Sequence, residues 1–360
     1  MTDESAKIRL KDLSPEAAIE HMIGLGQKPY RGRQIARWLF AKGCDSFEKM
    51  TDVSKSFREI LSRLYSVDPL LTLQADESDQ EGARRLLWRL SDGEMTESVI
   101  LKEFNHHTLC VSSQVGCRMG CRFCRTGSMG LKRQLTQGEI VGQIIRAREL
   151  LQPSPESLTN IVFMGMGEPL DNAENVLRSL KIITSPDYLA FSSKHISLST
   201  VGVVPQIQAL SEQGGLKCGL TISLGSADDD LRSSLMPCNK SWPLQKLKEA
   251  LLSYPLPKGR RFTFAYVLLA GVNDSPEQAL LLSKFLTGLK SKINLIPFNP
   301  WPGAPFKRPS PEATAAFQDV LLDKFHTAQI RSTKGASVNA ACGLLAASQP
   351  VSENRIAERA

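Results

Sequence analysis

Residues 116–127 read GCRMGCRFCRTG and place three cysteines, Cys117, Cys121 and Cys124, within eight positions. No fourth cysteine stands beside them. A disulfide framework would want an even number, and a zinc site a fourth ligand. Thiolates spaced three and then two residues apart on a glycine-rich loop can wrap three corners of a [4Fe-4S] cluster, leaving one iron open to a chelating small molecule. The zinc reading needs Cys110, His106 or His107 as its fourth ligand. Cys110 sits on a predicted strand and the histidines precede it, an awkward geometry for one ion.

Outward from this loop the chain alternates strand and helix. The predicted strands are TLCVSSQ (108–114), NIVFMGM (160–166), HISLSTV (195–201), GLTISLG (219–225), FTFAYVLLA (262–270) and KINLIPF (292–298). Each is followed by an amphipathic segment: 138–151, 172–184, 203–213, 243–254, 276–289 and 311–325. Six strand–helix units predict an α/β fold with a parallel sheet and helices outside. Six is fewer than the eight of a closed barrel, so a partial (β/α)6 barrel is expected, with its chemistry at the carboxyl ends of the strands. The first hundred residues read differently. Segments 14–26, 32–43 and 55–65 have helical periodicity, with Ser14 a cap. RRLLWRL (84–90) and MTESVILK (95–102) flank a Ser-Asp-Gly-Glu turn and predict a hairpin. The expected division is an N-terminal helical-plus-hairpin accessory unit (1–102), a barrel (103–335) and a C-terminal segment (336–360).

Composition is that of a folded soluble chain: 42% apolar and 22% charged over 360 residues. No apolar run approaches the roughly 20 residues that span a bilayer, and MTDESAKIRL carries acids where a signal peptide would be basic and then apolar. These features predict a cytoplasmic protein without a membrane role. Eight cysteines in such a chain point to metal or thiol chemistry rather than a disulfide scaffold. The net charge is +7. Two stretches hold bases and no acid: Lys28, Arg31, Arg33, Arg37 and Lys42, then Arg118, Arg122, Arg125, Lys132 and Arg133. Both suit a surface that meets phosphate backbones, as well as a solvated face.

The second predicted strand ends in MGMGEP (164–169). Its glycines would let the backbone approach a ligand closely, and Glu168 offers a carboxylate to an ammonium group. Pro169 and Leu170 spoil the GxGxxG pattern of a dinucleotide loop.

CxxxCxxC after the first strand of such a barrel, together with MGMGEP, resembles the radical S-adenosylmethionine (SAM) superfamily. LCVSSQVGC (109–117), MTDVSKSFRE (50–59), PYRGRQIARWLF (29–40) and AACG (340–343) narrow the resemblance to the RlmN/Cfr family of RNA adenine methyltransferases, nearer its RlmN branch. The match runs through nearly the whole chain. It implies a cluster on Cys117, Cys121 and Cys124, and SAM contacts at Gly167, Glu168, Ser199, Ser223, Leu224, Gly225 and Asn299. It also implies methylation of carbon 2 of adenosine in 23S rRNA and in a tRNA, with two SAM per turnover. One SAM would methylate Cys342. The other would yield a 5′-deoxyadenosyl radical that activates this methyl group and joins it to the adenine ring. Cys110 would remove the ring proton, and a Cys110–Cys342 disulfide would release product. Glu97 matches the family's proton acceptor. An electron donor such as flavodoxin and a monomeric state complete the expectation. Cys44, Cys218 and Cys238 match no role.

Two departures stand out. The family's Ser-Leu-His-Ala is SLGS here, with Gly225 in place of histidine. Its Arg-Gly-x-Asp-Ile before the methyl-carrying cysteine is KGASV (334–338). These leave open a relative acting at carbon 8 or on another RNA. A non-catalytic RNA-binding protein with a structural cluster would have no use for MGMGEP, Cys110 and Cys342 together.

Overall fold

The fold is described from a computed structural model, which covers residues 7–67, 72–152 and 158–347. Ten strands form one sheet: β1 (Thr72–Ser78), β2 (Ala83–Arg89), β3 (Met95–Lys102), β4 (His107–Cys110), β5 (Leu158–Phe163), β6 (Ile196–Thr200), β7 (Gly219–Ser223), β8 (Phe262–Leu268), β9 (Ser291–Pro297) and β10 (Ala328–Ile330). They lie in chain order across the sheet. β4 to β10 run parallel, and β1 to β4 form an antiparallel meander.

All six predicted parallel strands are present, with three differences. The first ends at Cys110, and Gln114–Cys117 instead pairs with Gly130–Gln134 in a separate two-stranded ribbon. A seventh parallel strand, β10, is at three residues too short for periodicity to reveal. The predicted hairpin gains a third strand, β1, and joins the barrel sheet through Val99 beside Cys110. The expected division at residue 102 therefore falls inside a hydrogen-bonded sheet.

Helices cover one face: α4 (Gln137–Leu150), α5 (Ala173–Thr184), α6 (Val204–Glu212), α7 (Asp229–Leu235), α8 (Leu244–Leu252), α9 (Pro276–Leu286) and α10 (Pro311–Asp323), after α1 (Pro15–Gly24), α2 (Pro29–Ala36) and α3 (Lys55–Leu64) in the N-terminal unit. α7 is a helix the sequence pattern missed, as is the single turn Arg125–Ser128. Strand alternation decides what faces what. In β8, Phe262, Phe264, Tyr266 and Leu268 are buried, and Phe264 meets Phe285 of α9 while Tyr266 meets Phe317 of α10. The alternate, half-buried set faces the other way, into the barrel. In β4, β6 and β7 that set includes Thr108, Cys110, Ser197, Ser199 and Ser223, a polar lining suited to a ligand rather than to a core.

The N-terminal unit packs on α4. Ser14 caps α1 by accepting from the Ala17 amide at 3.1 Å, and Thr136 forms a capping box with Glu139 at the start of α4. The Thr136 hydroxyl also donates to Asp12 at 2.6 Å. Apolar side chains of both units, such as Leu39, Phe40 and Ile144, share one core. Among the described residues no helix is long and apolar enough to cross a membrane.

Candidate active site

The three cysteines hang from the two-stranded ribbon at the carboxyl ends of the barrel strands. Gly116 has φ +75°, and a β-carbon there would stand 1.9 Å from the Gly130 carbonyl oxygen, so the ribbon demands glycine. The Cys124 amide donates to the Cys121 carbonyl at 3.0 Å, and the Arg122 amide to Leu235 at 2.9 Å. Cys117 and Cys121 are each 8% exposed. Burial pushes the Cys117 thiol up to about 12, and Cys121 and Cys124 are raised by the same cause. Cys124 raises both Cys117 and Cys121, and Cys117 raises Cys121, so the sulfurs share one region. Three thiols gathered on one loop and raised by burial form the donor set that an iron–sulfur cluster binds as thiolates. Among the described residues no group of three or more His, Cys, Asp or Glu side chains is already drawn together around a single-ion position. The donors fit the cluster. Cys238 also belongs to this neighbourhood, packed in the 235–238 segment and raising Cys121, which residue type alone did not reveal.

Residues 164–169 follow β5 directly. The two glycines permit close approach of backbone within the protein itself. A β-carbon on Gly165 would lie 2.6 Å from Ser112 Oγ, and one on Gly167, at φ +101°, 2.5 Å from Gln114 Cβ. They let this turn pack against residues 111–114. Glu168 is 3% exposed. Its carboxylate accepts the Leu170 amide at 3.0 Å and the Val201 amide at 2.9 Å. Burial pushes its pKa up to about 7, against the hydrogen bonds from Thr200 and the backbone. Among the described residues it has no ion-pair partner. Such a carboxylate is suited to a ligand's ammonium group.

Ser199 and Ser223 end neighbouring strands, and their hydroxyls lie 3.3 Å apart. Leu224 is fully buried; its amide donates to Ala265, and its carbonyl accepts Arg232 Nε at 2.9 Å. Gly225 has φ +73°, and a β-carbon would come within 2.5 Å of the Met236 sulfur. In this chain the methionine fills space that a larger residue at 225 would need. Arg232, absent from the sequence-derived candidates, is 1% exposed and donates to Leu224, Val201 and Asn239. It staples the ends of β6 and β7 that flank Glu168 and the serines.

Asn299 follows β9. Its Nδ2 donates to the Cys342 carbonyl at 3.1 Å, while its Oδ1 accepts Arg308 at 3.0 Å and Thr333 at 3.3 Å. The Cys342 segment is further tied to the cysteine loop: the Arg125 amide donates to Gly343 at 2.9 Å, and the Thr126 hydroxyl to Leu345 at 2.6 Å. Cys342 is solvent-exposed. Burial raises its pKa, with Arg331 opposing. Cys110 is raised by burial and then by Cys342, and it packs against the apolar cluster that includes Ala340 and Leu345 on either side of Cys342, although 232 positions separate the two cysteines. Neither is in a disulfide here. Glu97 is fully buried, paired with Arg85, and accepts the Ala346 amide at 3.2 Å. Burial raises its pKa while Arg85 lowers it. It lies beside the Cys342 segment, not at a free strand face.

The basic stretches part ways. Around the cysteines, Arg118 pairs with Asp171, Lys132 with Glu94, and Arg133 with Asp92 and Glu139. Acid-free in sequence, this stretch is largely neutralised in space. In the N-terminal unit, Arg31 is tied to Gln34 and the Asp52 carbonyl and Lys42 stacks on Trp38, but Arg33 and Arg37 are exposed.

Comparison with known proteins gives concordant results. Residues 8–67 match the ribosomal RNA large subunit methyltransferase N-terminal domain, and residues 111–282 the radical SAM superfamily. A protein of Syntrophobacter fumaroxidans named dual-specificity RNA methyltransferase RlmN is 42% identical over 338 residues, 94% of this chain and 98% of the relative. One of Anaeromyxobacter dehalogenans with the same name is 44% identical over 94% of this chain and 91% of its own. The crystal structure of a radical SAM methyltransferase from Sphaerobacter thermophilus superposes with a TM-score of 0.89 at 39% identity, covering 95% of this chain and 100% of that one.

Proposed function

The chain belongs to the RlmN family of radical SAM RNA methyltransferases, and from that premise we propose that it methylates carbon 2 of adenosine in 23S rRNA and tRNA through an S-methylated Cys342. The observation that carries the residue assignment is the packing of Cys110 against the cluster that includes Ala340 and Leu345, in the segment around Cys342 that is hydrogen-bonded to the three-cysteine loop through Arg125 and Gly343. A structural cluster would not need two further thiols there.

Cys117, Cys121 and Cys124 would hold a [4Fe-4S] cluster, and Glu168, with Gly167, Ser199, Ser223, Leu224, Gly225 and Asn299 around it, would receive SAM. When bound, this pair supplies the one-electron chemistry that the side chains cannot. The protein's part is positioning and proton handling. Glu168 would hold the ammonium end in a dry pocket where the charge pairing is strong. Asn299, with its Oδ1 occupied by Arg308, presents its amide N–H to the Cys342 carbonyl and so orients the methyl-bearing segment. Arg331 favours the Cys342 thiolate, the form that accepts a methyl group. Cys110 would take the ring proton, and Glu97 would serve as a proton acceptor through its contact with the Cys342 segment.

The proposal extends to an RNA-binding role for residues 1–102, a C-terminal carrier segment 336–360 (of which 348–360 lie outside the described residues), a cytoplasmic monomer, and a reducing protein such as flavodoxin. The test is nucleotide mapping by mass spectrometry in a deletion strain. Loss of one methyl from carbon 2 of adenosine in 23S rRNA and tRNA, restored by the wild-type gene, supports the reading. Loss from carbon 8, or from a different RNA, overturns it.

A further inference from the structure

A second basic site lies at the opposite end of the barrel from the cysteines. A cleft of about 540 Å³ opens between the turn before β8 and the start of β9, lined by Lys258, Gly259, Arg260, Arg261, Lys290 and Ser291, with no carboxylate among its lining residues. The register places Phe262 beside Ser291, so these are the amino ends of the strands. A seven-residue strand at roughly 3.3 Å per residue separates them from the reacting end by about 20 Å.

The contrast with the cysteine loop carries the argument. There, Arg118, Lys132 and Arg133 each found a carboxylate. Here, Lys258, Arg261 and Lys290 are exposed, and none of the cleft's four cations has an ion-pair partner among the described residues. Arg260 is held in place by the Ser193 carbonyl at 3.1 Å, and Arg261 reaches Thr327 at 3.4 Å, so two guanidinium groups are oriented without being neutralised. The turn is closed by the Arg260 amide donating to Pro257 at 2.9 Å, and Gly259 at φ +78° leaves its outer side open. Exposed Lys194 and Lys217 precede β6 and β7 on the same rim, continuing the row of positive charge across neighbouring strands.

We propose that this cleft binds phosphodiester groups of the RNA substrate, on a part of the RNA remote from the methylated adenosine. The inference rests on the RNA methyltransferase reading. Oriented guanidinium forks and unpaired ammonium groups around a cleft suit phosphate oxygens, and an RNA long enough to pass along the barrel can reach both ends. The cleft thereby favours full-length RNA over a short fragment that carries only the target loop.

The test uses cluster-loaded enzyme with Lys258, Arg261 and Lys290 all replaced by Gln, exposed positions where substitution leaves the fold intact. Binding is measured over a salt series for a full-length tRNA transcript and for a hairpin cut to the loop that holds the target adenosine. For full-length RNA, each lost phosphate contact lowers the salt slope by about 0.7 to 0.9, so the slope falls by about two and binding weakens at least tenfold at low salt. Hairpin binding, hairpin methylation and iron content stay at wild-type values, and Arg at positions 258 and 290 restores the slope. An unchanged full-length slope overturns the proposal, including where the triple variant loses an acidic protein partner instead. So does equal weakening for the hairpin. Failure of the underlying reading looks different: the wild-type enzyme would then methylate neither RNA.

Discussion

Replacing Glu168 with Gln tests the site through two opposing effects. The carboxylate accepts two backbone amides, from Leu170 and Val201, one on each oxygen. Glutamine has one acceptor oxygen, so one buried N–H loses its partner at a cost of about 1–3 kcal/mol. Against this stands the burial of the charge, which lifts the pKa from 4.5 to about 7. An acid whose folded pKa is raised costs nothing below about pH 4.5, where both states hold the proton. Its cost grows as pH climbs toward 7 and is full above that. At 1.36 kcal/mol per pH unit, about 2–3 kcal/mol of this cost appears between pH 5 and pH 8. Urea denaturation of the cluster-free protein should therefore show the Gln variant less stable than wild type at pH 5, with the gap closed or reversed at pH 8. SAM binding to the loaded protein at pH 8 should weaken about 10- to 150-fold, since a charge-assisted hydrogen bond contributes about 1.5–3 kcal/mol. Parallel stability curves with unaltered SAM affinity would refute the reasoning.

Protein purified anaerobically should be brown with about four irons, and Cys117→Ala, Cys121→Ala and Cys124→Ala should each lose the colour and all SAM cleavage; stoichiometric zinc without iron contradicts this. Arg33→Ala with Arg37→Ala should lower the salt slope of RNA binding by about 1.5, whereas Arg31→Ala, whose side chain is tied to Gln34 and Asp52, should change thermal stability more than the slope. Glu97→Gln removes the fully buried carboxylate that pairs with Arg85, so a loss of about 3 kcal/mol is expected in urea titrations, at the low end for a broken buried pair. RNA methylation should fall while iron content holds.

The barrel was legible because its strands are bounded runs of β-branched and aromatic residues followed by amphipathic helices. The FTFAYVL strand shows how: every second residue meets a helix and the rest face inward. β10 was not legible, since Ala328–Ile330 forms a strand only because β9 offers it an edge. The cysteine triplet declared itself by spacing, and Glu168 by its motif. Arg232 did not, because a buried arginine bonded to carbonyls looks in sequence like any surface arginine. The basic stretch around the cysteines misled for the converse reason. Its carboxylate partners, Asp92, Glu94, Glu139 and Asp171, come from other segments that only the fold assembles. Cys110 and Cys342 were paired by family resemblance alone, and the Asn299, Arg125 and Thr126 contacts now supply the physical reason that Cys342 sits where it does.

The two-cysteine account is tested most directly by Cys110→Ala, isolated from cells and examined on a denaturing gel. Without Cys110 the ring proton stays and no disulfide can close, so the account predicts a nuclease-sensitive RNA–protein species above the free protein, joined through Cys342 and absent when Cys342→Ala is added. A packed strand cysteine truncated to alanine would cost modest stability and trap nothing. A Cys110→Ala enzyme that methylates RNA at the wild-type rate, with no trapped species, would contradict the account.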